Sequence, residues 1–316
     1  MGSCVDGIIL IDKEPGCTSF DIVRRVKGLL KIKKVGHAGT LDPFATGLLI
    51  LLLGQGTKIS SFLMNEKKVY LASIRLGIET DTLDSTGKII RTRPVPLLNR
   101  AIIEEGLNFF QGEIDQKPPA YSALRYQGKR AYQLARKGIQ FDLKKRRVKI
   151  FQIELLGVDL PRLSIRISCS GGTYIRSLAA DIGKHLGTLG YLESLRRLSS
   201  GSYKVEEAYR FSESREMERF QLQERIIPLY KSLPELKSFD IDNRLAYQIR
   251  NGYQPALEEV MSMSDAPSHL KGYVKLIKDA ELIAIAKLIR LEEGKGKTGK
   301  LILARVFPVQ DLSPKQ

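Results

Sequence analysis

Between apolar runs at residues 7–11 and 48–53, the chain holds Gly36-His37-Ala38-Gly39-Thr40-Leu41-Asp42-Pro43, followed by Thr46-Gly47. The segment sets one carboxylate beside one imidazole, in a loop whose glycines let backbone approach a ligand closely. A carboxylate so placed can serve as a nucleophile when a cation keeps it ionised and aimed. By itself Asp42-Pro43 also reads as a helix N-cap followed by proline, or as an Asx turn. The density of polar groups around it favours a site. Gly171-Gly172-Thr173-Tyr174-Ile175-Arg176 supplies the needed cation at a Gly-rich strand-to-helix junction, although such a helix start suits an anion on its own account. Tyr70 reads equally as a packed aromatic with its hydroxyl at the surface, and His37 as a structural histidine. Gly54-Gln55-Gly56-Thr57-Lys58 lacks the GxxxxGK[ST] spacing of a phosphate loop, which argues against a nucleoside triphosphatase.

The elements that must position these groups follow from periodicity. Residues 7–11 form a buried strand entering a turn at Asp12 to Gly16. A helix capped by Thr18 and Ser19 carries Ile22, Val23, Val26, Leu29 and Leu30 inward and Arg24, Arg25 and Lys27 outward. Residues 48–53, bounded by Gly47 and Gly54, make a central strand buried on both faces. Lys68 to Leu76 alternates as a strand, Asp84 to Gly87 is a turn, and Ile102 to Phe110 is a helix. Val148 to Val158 and Leu163 to Ser168 alternate as a hairpin, a helix spans about Tyr174 to Leu186, and Leu192 to Leu198 returns as a strand. Near Leu236 to Asp242 the composition shifts. Short apolar runs at Tyr273–Ile277, Leu282–Ala286 and Leu301–Val306, parted by Lys278-Asp279 and by Gly294-Lys295-Gly296, predict a small β domain. The class is α+β, in two domains, as 316 residues suggest.

With 51 Lys and Arg against 35 Asp and Glu, the formal charge of +16 favours a polyanionic partner. Much of that excess lies between Gln116 and Arg147, among Tyr121, Tyr126 and Tyr132, the composition that grips a phosphate backbone and stacks bases. Cys4, Cys17 and Cys169 form no CxxC pair, so a reducing, cytoplasmic compartment is expected. Three histidines at no ligand spacing predict no metal site. The N-terminus lacks the order of a signal peptide, and no apolar run is long enough for a bilayer span, so a soluble protein without membrane association is expected.

Four ordered stretches resemble the bacterial TruB family of tRNA pseudouridine-55 synthases. They are Asp12-Lys13 with Gly16-Cys17-Thr18-Ser19; Gly36 to Gly47; Lys68-Val69-Tyr70; and Gly172 to Arg176 with Leu195-Arg196-Arg197-Leu198. Lys117-Pro118-Pro119-Ala120-Tyr121-Ser122-Ala123 is similar to the stretch leading into that family's RNA-gripping thumb. Glu14 departs from the family's usual proline, with Pro15 one place later. The resemblance implies a pseudouridine synthase fold with a mixed, mostly antiparallel sheet over residues 1–235, a thumb-like insertion at about 116–147, and a PUA-like RNA-binding domain over 236–316. It implies Asp42 as nucleophile, Tyr70 as active-site tyrosine and Arg176 as the ion-pair partner of Asp42. His37, Lys13, Lys58, Tyr174, Leu195 and Arg197 would contact the extruded nucleotide, and Arg125, Lys129 and Arg130 the RNA. The implied partner is the T-arm of tRNA, bound by a monomer without cofactor or metal.

Overall fold

The computed structural model describes residues 5–211, 215–261, 272–290 and 299–308; Cys4 and the Gly294–Gly296 break lie outside them. From the N-terminus, β1 (Gly7–Lys13) leads to α1 (Ser19–Leu30), β2 (Val35–His37), β3 (Thr46–Leu53), a 3-10 turn (Gly54–Ile59) and α2 (Ser60–Asn65). There follow β4 (Lys68–Leu76), a small hairpin of β5 (Ile78–Thr80) and β6 (Ile89–Thr92), α3 (Arg100–Asn108) and β7 (Gly112–Gln116). The insertion holds β8 (Arg125–Tyr126), β9 (Lys129–Arg130) and α4 (Ala131–Arg136). After it come β10 (Arg146–Asp159), β11 (Arg162–Cys169), α5 (Ile175–His185), β12 (Gly190–Ser200), β13 (Tyr203–Lys204), α6 (Arg215–Glu224) and β14 (Ile227–Pro228). The remainder is β15 (Lys237–Asp240), α7 (Asn243–Arg250), α8 (Leu257–Met261), β16 (Gly272–Lys278), β17 (Glu281–Arg290) and β18 (Gly299–Val306).

One sheet dominates, in the order β14-β1-β3-β12-β4-β11-β10-β7, with β2 on β3 and β13 on β12. All its pairings are antiparallel except β12 on β3. β1 and β3 are apolar and buried on both faces because each face has its own cover. Ile9, Ile11, Leu49 and Leu51 share a core with the inward stripes of α1 and α5, while Ile8, Leu10, Leu48 and Ile50 share one with Leu63, Tyr203, Leu282, Ile285 and Phe307. The second core reaches into the C-terminal sheet, which runs β15-β16-β17-β18 and packs its other residues on α7 and α8.

The local chemistry of α1 separates two residues that the sequence grouped as caps. Thr18 is the cap, in a reciprocal box with Asp21. Ser19 is buried, and its hydroxyl accepts from Leu41 N at 2.9 Å while donating to Leu41 O at 3.0 Å. The helix thereby holds the residue preceding Asp42 in place. α3 starts two residues earlier than its apolar periodicity suggests because Asn99 accepts from Ile102 N. The insertion is more than a solvated loop: Ala131, Leu134 and Leu143 are buried, and Tyr126 meets Phe141 at 5.5 Å between ring centres.

Candidate active site

Asp42 begins a turn, not a helix, since Ala45 N donates to Asp42 O at 3.1 Å and the chain then enters β3. Lys13 and Gly16 pin that turn from the first strand. The Lys13 ammonium donates to Glu14 O (2.9 Å), Cys17 O (2.8 Å) and Pro43 O (3.2 Å), and Gly16 N donates to Pro43 O at 2.9 Å. The glutamate at position 14 leaves this turn intact, because the bond uses its carbonyl. Gly47 is required by close approach. At φ +97° a Cβ there would lie 2.3 Å from Arg197 O, where β3 meets β12.

Arg176 reaches Asp42 from the first turn of α5. Its Nε lies 2.9 Å from Asp42 Oδ2 and its Nη2 donates to Asp42 Oδ1 at 3.0 Å, a two-point grip that fixes the plane of the carboxylate. The remaining donors are engaged as well: Nη1 donates to Thr82 O (3.0 Å) and lies 3.4 Å from Asp84 Oδ2, and Nη2 also donates to Tyr121 O (2.9 Å). Asp84 is buried, and its Oδ1 accepts from the Thr82 hydroxyl, the Thr86 hydroxyl and Thr86 N. The sequence suggested only a turn at Asp84. Residues 80–86 hold Thr80, Asp81, Thr82, Asp84 and Thr86, a polar density like that around Asp42, and that was the available signal.

The Arg176 side chain is 6% exposed and that of Asp42 is 32% exposed, so the carboxylate is the part of the pair that faces an incoming ligand. Burial raises the Asp42 carboxyl above the ordinary carboxylate value and the Asp84 charge adds to this, while Arg176 and Lys13 pull it back. If the ionised form is the working one, kcat/KM falls as pH drops through this raised value, so the acid limb lies above 3.8. Asp84→Asn removes the like charge and moves that limb to lower pH; a pH–rate profile for both proteins checks the sign. A limb that stays put or moves up contradicts the coupling.

Tyr70 and Arg197 are register partners on neighbouring strands, and Tyr70 faces the core with α5. Burial raises the Tyr70 phenol, and the charge of the nearby Arg197 guanidinium pulls it back. Of the two readings the sequence left for Tyr70, a packed aromatic with a surface hydroxyl does not fit a residue that is 6% exposed. Leu195 is buried on the same face of β12, and its carbonyl accepts from the Thr46 hydroxyl at 3.4 Å. Tyr174 caps the entry to α5, with its backbone N–H and C=O both bonded to the Gln116 amide, at 2.8 and 3.0 Å. His37, on β2, is half-buried; burial and the Arg197 charge lower its pKa, and its Nδ1 is buried without a partner among the described residues.

Three cations expected on the nucleotide are bonded to the protein itself. Lys13 is fully buried with three carbonyl acceptors for its three N–H groups, so it braces the turn. Arg197 is 1% exposed and donates to Leu48 O (2.6 Å) and Gly39 O (3.1 Å), stitching β12 to β3 and to the Asp42 loop. Lys58 donates to Val306 O at 2.9 Å and to Gln55 Oε1 at 3.1 Å, which ties the 3-10 turn to the C-terminal sheet. The resemblance implied nucleotide contacts for all three; the strand register turns the side chains of the first two inward. Lys68, which the structure adds to this group, is buried, caps the Met64 and Glu66 carbonyls, and is held down to about 8 by burial and Arg197.

Arg125, Lys129 and Arg130 are exposed on a tight hairpin whose central Gln127 and Gly128 both have positive φ. Arg125 and Arg130 stand directly opposite each other, an arrangement that repels unless a polyanion lies across it. The root of the insertion is bonded to α5, through Tyr121 O on Arg176 and through the Ser177 hydroxyl donating to Lys117 O at 2.8 Å. Among the described residues no group of His, Cys, Asp and Glu has metal-ligand spacing, and no helix is long and apolar enough to cross a membrane.

Residues 27–175 match the family described as TruB family pseudouridylate synthase, N terminal domain. Over 86% of this chain and 92% of the relative, the sequence is 41% identical to tRNA pseudouridine synthase B of Clostridium kluyveri. It is 39% identical to the protein of that name from Francisella tularensis subsp. novicida, over 96% and 95% of the two chains. Among solved structures, a chain of a Cbf5-Nop10-Gar1 complex superposes with a TM-score of 0.72 and 26% identity, covering 96% of this chain and 85% of that one. A chain of an H/ACA RNP bound to a substrate RNA gives a TM-score of 0.71 at 24% identity, over 98% and 87%, a likeness of fold.

Proposed function

The chain belongs to the TruB family of pseudouridylate synthases, and from that premise we propose that Asp42 is the nucleophile with which it isomerises uridine 55 in the T-loop of tRNA to pseudouridine. The observation that carries the assignment is the two-point grip of Arg176 on Asp42, with the carboxylate the more open member of the pair.

In this reaction the N1–C1′ bond breaks, the base turns, and a C5–C1′ bond forms; C5 loses a proton and N1 gains one. The product is an isomer, so no electrons are gained or lost. The carboxylate acts at the sugar or at the base, and by either route it must be ionised and the nucleotide must leave the stack. Arg176 holds it aimed without reorganisation. Leu195 supports the face of the uracil, His37 and Tyr174 line the extruded nucleotide, and Tyr70 stands beside it. Tyr70, as the active-site tyrosine, handles the proton lost from C2′ or C5.

Residues 116–147 carry ten Lys and Arg against Asp142 alone, which supports their action as a thumb on T-arm phosphates. Residues 236–316 form the second, PUA-like domain of a monomer that carries its own RNA grip. Incubation of the purified chain with a T-arm stem-loop labelled at uridine C5 with tritium tests the reading, and release without added guide RNA is expected. Changing Arg125, Lys129 and Arg130 together to Gln lowers the salt slope of RNA binding by about one per lost phosphate contact, with kcat at saturating RNA held within about twofold. An unchanged slope contradicts the grip.

A further inference from the structure

The large sheet leaves one face open, over β4, β11 and β10. Tyr70, Ala72 and Ile74 point to the helices, so Lys67, Val69 and their cross-strand neighbours point the other way. A bulge at Phe151, between the pairs Ile150–Cys169 and Gln152–Ser168, breaks the alternation of β10. Phe151 and Gln152 are consequently both exposed, and the Phe151 ring, 42% exposed, stands with Lys67 Nζ 5.3 Å and Lys149 Nζ 5.6 Å from its centre. Beside it is a cavity of about 200 Å³ lined by Lys67, Val69, Gln152, Glu154, Arg166 and Ser168. Ser168 is only 8% exposed, and its hydroxyl is buried without a partner among the described residues. Among those residues, Lys67, Lys149 and Arg166 form no ion pair with a carboxylate.

An exposed ring between cations, next to a small polar cavity with an unused hydroxyl, matches what an unstacked nucleotide requires: a stacking platform, counter-charges for phosphate and hydrogen-bonding groups for a base or ribose. The patch continues the thumb, because β10 begins with Arg146 and Arg147 and passes Lys149 before reaching Phe151. It also borders the turn before α5, where Lys149 N donates to the Ser170 hydroxyl at 3.0 Å. RNA following the basic strand is led over this rim, away from the pocket that takes the uridine.

We propose that this open face is a second RNA-contact surface, which takes an unstacked nucleotide of the tRNA lying outside the T-arm. Its base stacks on Phe151, flanking phosphates meet Lys67, Lys149 and Arg166, and Ser168 and Glu154 bond the base edge or ribose. A base that displaces one ammonium keeps the ring covered and frees that lysine for phosphate. The inference rests on the reading of the chain as a tRNA enzyme.

Equilibrium binding of full-length tRNA and of an isolated T-arm stem-loop, measured across a salt series, tests it. Phe151→Ala is expected to weaken full-length tRNA roughly tenfold, with the T-arm changed less than about twofold and Phe151→Tyr restoring the affinity. Lys67→Gln with Lys149→Gln lowers the salt slope for tRNA by about two and leaves that for the T-arm. Full-length affinity kept by both variants, or equal losses on both RNAs, overturns the proposal. Failure of the unaltered protein to convert the T-arm strikes instead at the functional reading.

Discussion

Asp42→Asn is expected to bind T-arm RNA with near-normal affinity and to lose turnover by at least about four orders of magnitude. The substitution keeps size and shape but removes the electron-rich oxygen pair that either chemical route requires. The variant stays folded for a reason visible in the pocket: Asp84 still faces Arg176, and the Thr82 and Tyr121 carbonyls still accept from it, so no buried cation is stranded. Tritium release under single-turnover conditions, with excess enzyme and a matched binding curve, separates the chemical loss from any loss of RNA. Conversion within a hundredfold of the unaltered rate would remove Asp42 from the nucleophile's role.

Arg176→Lys carries the second largest effect, a fall in kcat of roughly a hundred- to a thousandfold, with KM for the stem-loop moved much less. Charge is conserved, so a purely electrostatic partner would tolerate the change. Arg176 does more than neutralise: one planar fork spans both oxygens of Asp42, one of Asp84 and two carbonyls from separate segments. A single ammonium with three donors cannot span those positions, and the carboxylate loses its fixed plane. A lysine variant within about threefold of normal kcat would show that geometry at this residue is not limiting.

Much of this was legible in the chain. Apolar runs without alternation at residues 7–11 and 48–53 foretold strands covered on both faces, and the period at 68–76 foretold Tyr70 and its neighbours correctly as one face. The density of glycine and polar residues around Asp42 pointed to a site where the dipeptide alone suggested a cap. What was not legible is direction. Lys13 ends a wholly buried strand, and Arg197 shares the face of Leu195, so both turn inward to carbonyls that a linear reading cannot place. The i, i+2 relation of Leu195 to Arg197 is nonetheless in the sequence, and it already argues for burial. Lys58 depends on a partner about 250 residues away, Val306, which no local spacing reveals. Asp84 was hidden by its own turn, since an aspartate bonded to nearby threonines has an ordinary structural use.

The strand order has a consequence for how the molecule comes into being. β12 lies between β3 and β4, yet it is made long after both, and it brings Leu195 and Arg197 to a loop and a tyrosine already synthesised. During translation the neighbours on either side wait on the order of ten seconds for the middle strand. For that interval the edge of β4 that β12 covers stands open, together with Thr46 and Gly47 of β3, while β1 and β2 already cover the apolar part of β3; an open edge is prone to wrong pairing and to capture by chaperones. A nascent chain stopped before Gly190 therefore holds Asp42 and Tyr70 without Leu195 and Arg197. Leu195 and Arg197 join Asp42 and Tyr70 only when that middle strand is made.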